Sequence, residues 1–100
     1  MSSDNSIVIL QTKKGSGHEY RVAHLLAVDN YSWDNKKKKH TNNPQIQIKN
    51  AREMWSGCKV YDLRSRALQE ADRIYQEILK DDFCPIVEYG ICFIEIDAEF

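Results

Sequence analysis

Between Tyr31 and His40 the chain gathers two aromatic rings and a run of basic side chains. Tyr31 and Trp33 are followed by Lys36, Lys37, Lys38, Lys39 and His40. Lysines neutralise phosphates and aromatic faces stack on unpaired bases. The segment therefore reads as a candidate contact for nucleic acid or another anionic partner. The same composition also suits a solvated loop with one ring anchored in the core, because a short lysine run has little motif specificity.

A second set of residues has the types needed for nucleophilic or metal chemistry. His18, His24 and His40 stand beside Cys58, Cys84 and Cys92. A thiolate next to an imidazole is a nucleophile, and the same groups ligate zinc. Their spacing matches neither arrangement, and there is no C-x-x-C pair. His24 falls on the apolar face of its strand, as a core histidine does. Cys92 lies in the most apolar segment, where a thiol is inert. Gly15-Ser16-Gly17 lacks both phosphate-loop patterns and joins two strands, so it reads as a hairpin turn. Asp81-Asp82 and the alternating Glu95, Asp97 and Glu99 are acidic clusters suited to solubility and edge protection, or to a negative stripe facing a partner. These readings favour a non-enzymatic protein without a cofactor, a metal or a catalytic set.

The elements that must position these groups follow from periodicity. Residues 7–12 are rich in β-branched side chains and read as a strand. Residues 19–28 alternate and read as its hairpin partner, with Tyr20, Val22 and His24 on one face and Arg21, Ala23 and Leu25 on the other. Residues 34–45 hold no aliphatic side chain and read as a mobile basic loop. Asn50-Ala-Arg-Glu53 has the form of a capping box, which predicts a short helix near 50–56 ended by Gly57. A rival reading runs a strand through Ile46 and Ile48. Leu63, Ala67, Ala71, Ile74, Tyr75 and Ile78 recur at helical spacing, so a long amphipathic helix spans 63–80. Residues 85–97 read as a last strand, apolar on both faces from Ile91 to Ile94 as a central strand is.

One hundred residues give room for a single small domain, here with a flexible stretch over residues 1–5. At 42% hydrophobic and 29% charged, the chain has enough apolar content to escape wholesale disorder. The expected fold is α+β: a two-layer arrangement with a three- to four-stranded, mainly antiparallel sheet. An N-terminal β-hairpin and a C-terminal strand pack against one long helix, with the short helix beside them. The step from Val60 through the long helix to Ile91 suggests a crossover between parallel neighbours. The sheet face holding Ala23 and Leu25 is too apolar to be wet, so either the short helix or another chain must cover it.

The net charge of −1 conceals a division. Residues 1–50 carry eight Lys/Arg against four Asp/Glu, a balance of +4, and residues 51–100 carry six against eleven, a balance of −5. Ala23, Leu25, Met54, Trp55 and Tyr61 form a candidate protein interface, since Met and aromatics are enriched at interface centres. The leading functional expectation is a protein-protein interaction or regulatory module, self-association included. A nucleic-acid-binding accessory module is the alternative, and a Cys/His enzyme comes third. Odd cysteine usage without a leader sequence points to the cytoplasm, and no apolar run approaches the length of a membrane span.

Overall fold

The computed structural model describes residues 6–25, 28–80 and 90–100. Strand β1, Ser6–Lys14, turns at Gly15 into β2, Gly17–Leu25, in antiparallel register from Lys14↔Gly17 to Ser6↔Leu25. Gly15 holds φ +56, the left-handed value that a two-residue hairpin turn needs at its first position. A 3-10 helix, Val28–Ser32, leads into a small ribbon of β3, Trp33–Asp34, and β4, Lys39–His40. Helix α1, Pro44–Met54, follows, then β5, Val60–Tyr61, helix α2, Arg64–Lys80, and strand β6, Ile91–Glu99.

The main sheet has the order β5-β2-β1-β6, with β6 parallel to β1 and the other pairs antiparallel. The class is α+β, and the hairpin, the C-terminal strand and the long helix fall where the periodicity puts them. The central strand differs from expectation. Ile7, Val8, Ile9 and Leu10 are all fully buried, so β1 is closed on both faces. Strand β6 lies at the edge, because only Ile94 and Ile96 of its residues are buried while Phe93, Glu95, Asp97 and Glu99 are exposed. Its apolar start is covered from above in part by Arg64, whose guanidinium sits 4.2 Å from the centre of the Phe93 ring. Strands β5 and β6 occupy opposite edges, separated by β2 and β1, so the crossover through α2 does not join neighbours.

A strand sealed on both faces needs a layer on each. Helix α2 lays Ala67 and Ala71 against Ile7, Ile9, Tyr20 and Val22. Both alanines are fully buried, and their small size lets the helix axis approach the sheet. Helix α1 takes the opposite face, packing Ile48, Ala51 and Trp55 on Val8, Leu10, Ile94 and Ile96, with Ala23 and Leu25 at the margin. The expected two layers are thus extended by a third, and the short helix is what covers the apolar face. It begins well before Asn50, because Asn43-Pro44 supplies a stronger start. The Asn43 side chain accepts a hydrogen bond from the Gln45 N–H at 2.9 Å, and Pro44 occupies a first-turn position where no N–H is needed. Asn50 is therefore in the helix body, and Ile46 and Ile48 are helical. Gly57, at φ +77, carries the chain away after the helix.

Strand β2 ends at Leu25, and His24 near its end is exposed instead of lying in the core. Residues 1–5, Leu26, Ala27, Asp81, Asp82, Cys84 and Pro85 lie outside the described residues. Trp55 is the largest fully buried side chain, and its indole N–H donates to the Val8 carbonyl at 3.4 Å. Trp55→Ala should cost about 3–5 kcal/mol of stability, read as a lowered midpoint in urea unfolding.

Candidate nucleic-acid interface

The lysine run sits on a defined turn within the segment read as a loop. Asp34 pairs with Lys39 across the ribbon, leaving residues 35–38 as the tip. The buried Asp34 carboxylate accepts hydrogen bonds from the backbone N–H groups of Lys36, at 2.9 Å, and Lys37, at 3.2 Å. Its carbonyl accepts the Lys38 N–H at 2.7 Å. Lys38 adopts φ +54, and among the described residues no other non-glycine enters that region. Short side chains that capture nearby backbone N–H groups favour turns, so Asp34 organises the tip. Lys36, Lys37, Lys38 and Lys39 consequently all project into solvent.

Helix α1 holds the ribbon in place. Asn50 donates from Nδ2 to the carbonyls of Trp33, at 2.8 Å, and Tyr31, at 3.1 Å. Below the tip, His40 meets Trp33 nearly at right angles, with ring centroids 5.3 Å apart. The Ser32 hydroxyl and His40 Nδ1 share a hydrogen bond of 2.7 Å, which fixes the imidazole against the indole. Between ribbon and helix lies a groove of about 420 Å³. Trp33, Asp34, Asn35, Lys36 and Lys37 wall one side, and Ile46, Lys49 and Asn50 the other, so three lysines stand against one carboxylate. Among the described residues none of the three groove lysines is in an ion pair.

The residues singled out from the sequence separate into distinct roles. Trp33, Lys36 and Lys37 line the groove, while Lys38 and Lys39 carry charge around the tip and back. His40 braces Trp33. Tyr31 is half-buried against the α1 core and serves as the anchor of the segment. Lys49 and Ile46 were not legible as site residues. Their signal is the helical spacing of 46, 49 and 50, visible only once the helix starts at Pro44.

The five residues nominated for a protein interface do not come together on a surface. Trp55 is inside the core, and Ala23, Leu25 and Met54 are partly buried against the same cluster. Tyr61 is half-buried on the other side of the sheet, packed with the α2 cluster. Burial and the nearby Glu70 carboxylate raise its phenol above the usual range. Glu70 is itself held below the carboxylate range by its hydrogen bond from Arg73.

Cys58 is half-buried, and burial pushes its thiol up, with the Arg21 charge opposing. A raised thiol is a poor nucleophile at neutral pH. Among the described residues no three His, Cys, Asp or Glu side chains converge as a metal-binding group. Glu95, Asp97 and Glu99 do share one exposed face of β6, where Lys13 pairs with Asp97 and has its own ammonium pKa raised by that contact. No helix among the described residues is long and apolar enough to cross a membrane. The chain matches no known family model, no curated protein and no solved structure.

Asn50→Ala removes the bonds from Asn50 to the Tyr31 and Trp33 carbonyls and leaves the Gln47 bond to the Thr41 carbonyl. Hydrogen exchange across residues 31–40 should accelerate, with a drop of about 1–2 kcal/mol in overall stability.

Proposed function

We propose that this protein is a non-enzymatic binding module that contacts nucleic acid through the ribbon-and-helix groove. One observation carries the reading: three lysines, in no ion pair among the described residues, surround an exposed tryptophan in a concave site. Cations of this kind release counterions from a phosphate backbone on binding. The reading also draws support from the fate of the rival residues, since Trp55 and its neighbours are occupied in packing. Its cellular setting on this view is the cytoplasm, where a thiol such as Cys58 stays reduced.

A labelled single-stranded oligonucleotide, titrated at several salt concentrations, tests the proposal. Wild-type binding should weaken steeply with salt. Replacing Lys36, Lys37, Lys38 and Lys39 together by Ser should flatten the slope of log affinity against log salt by about 1.5–3, at roughly 0.7 for each phosphate no longer neutralised. An unchanged slope would remove the ribbon from the binding surface.

A second reading rests on a separate observation. Phe93 of the edge strand β6 and Leu68 of α2 are each 39% exposed, with Arg64 one helical turn before Leu68 and over the Phe93 ring. A second copy of the chain docking there would cover apolar surface and an open strand edge. Sedimentation over a hundredfold concentration range should then show a rising mass. A constant monomer mass excludes it.

A further inference from the structure

We infer that the groove is a one-nucleotide pocket, in which an unpaired base lies against Trp33 and the adjoining phosphate is held between Lys49 and the Lys36–Lys37 wall, so that the protein prefers single strands to duplex. The inference rests on the nucleic-acid reading and adds the form of nucleic acid that fits.

The groove, at about 420 Å³, lies near the lower end of the range for small-molecule sites, roughly 300–1,000 Å³. That accommodates one base with its sugar and phosphate. A base pair in a stacked duplex cannot enter such a concavity, because its faces are covered by its neighbours.

The walls match the two halves of a nucleotide. Trp33 offers an indole that is 39% exposed, although a ring of this size gains from burial. His40 meets it edge-to-face and does not lie parallel over it. Ile46 extends the apolar wall from the helix. The cations come from two elements, Lys36 and Lys37 from the ribbon tip and Lys49 from α1, so a phosphate at the rim is met from both sides. The supports are already in place: Asp34 sets the tip and Asn50 sets its distance from the helix. Preorganised groups of this kind lower the ordering cost of binding.

Base identity has little to act on here. The Asn50 amide N–H groups are engaged with main-chain carbonyls, which leaves its Oδ1 and the Asn35 amide as the neutral polar groups on the walls. One amide and one carbonyl oxygen are a thin basis for reading a base edge, whereas every base presents a π-face. The preference is therefore for unpaired over paired nucleotides, and not for a sequence.

Three probes of equal length separate this from simple charge attraction: single-stranded oligo-dT, the same phosphate chain carrying abasic sites, and a duplex. Each is titrated by anisotropy with the wild type, W33A, W33F and K49A. The wild type should bind oligo-dT more tightly than the other two probes. W33A should weaken oligo-dT binding by between about 5- and 150-fold, the value of one stacked base, and leave abasic binding unchanged. W33F keeps a ring and should recover much of that affinity, which also guards against a folding defect. K49A should weaken all three probes. Equal wild-type affinity for oligo-dT and the abasic chain, or a W33A protein that binds like wild type, overturns the one-nucleotide pocket while salt-dependent binding leaves the nucleic-acid reading standing. Absence of salt-dependent binding to every probe overturns both.

Discussion

The described structure is arranged around the first half of β1, which is buried on both faces. Ile7, Val8, Ile9 and Leu10 put successive side chains on opposite faces of the sheet, and all four are fully buried. A strand of that kind cannot be stable with one face open, since each exposed aliphatic side chain would forfeit about 1.5–3 kcal/mol. Two helices are therefore required, one for each face. Helix α2 meets the demand with alanines and close approach, and α1 meets it with bulk, through Ile48 and Trp55. The same demand sends the chain across the sheet between β5 and β6, because α2 must lie over β1 and β2 to seal them.

Much of this was legible in the sequence, and the parts that were not share a cause. The hairpin could be read because Gly15 sits between a β-branched run and an alternating one. Helix α2 could be read because its apolar positions keep a period of 3.6 over its length. The start of α1 was hidden because Asn43 and Pro44 terminate a stretch with no aliphatic side chain, which resembles a loop until the cap geometry is known. The exchange of roles between β1 and β6 has a similar origin. Ile91 to Ile94 and Ile7 to Leu10 are both short apolar runs, and periodicity cannot say which is central. What decides it is Glu95, Asp97 and Glu99, whose charges need solvent and so hold β6 at an edge.

The candidate site was legible in composition and illegible in shape. Trp33 and the lysines could be named from the sequence, since residue type alone suggested them. Which ring was available could not, because Tyr31 and Trp33 are two residues apart and only the fold assigns one to the core and one to the groove. Asp34 is the instructive case. Placed just ahead of four lysines, it looks like partial charge compensation, and its carboxylate does lie in the groove wall, yet the same oxygen also captures the backbone N–H groups of Lys36 and Lys37 and so sets the tip.

Helix α1 serves two masters: Ile48 and Ala51 face the core, while Ile46, Lys49 and Asn50 face the groove. A ligand held on the outer wall is thus in thermodynamic linkage with the packing on the inner one. Occupancy of the groove draws the population toward the docked helix, by RT ln(1 + [L]/Kd) if the unfolded chain does not bind. Reciprocally, if the groove binds as proposed, any change that loosens Trp55 from the sheet would lower affinity at a distance by depleting the competent state. On the proposed function, stability and recognition would be two readings of one equilibrium.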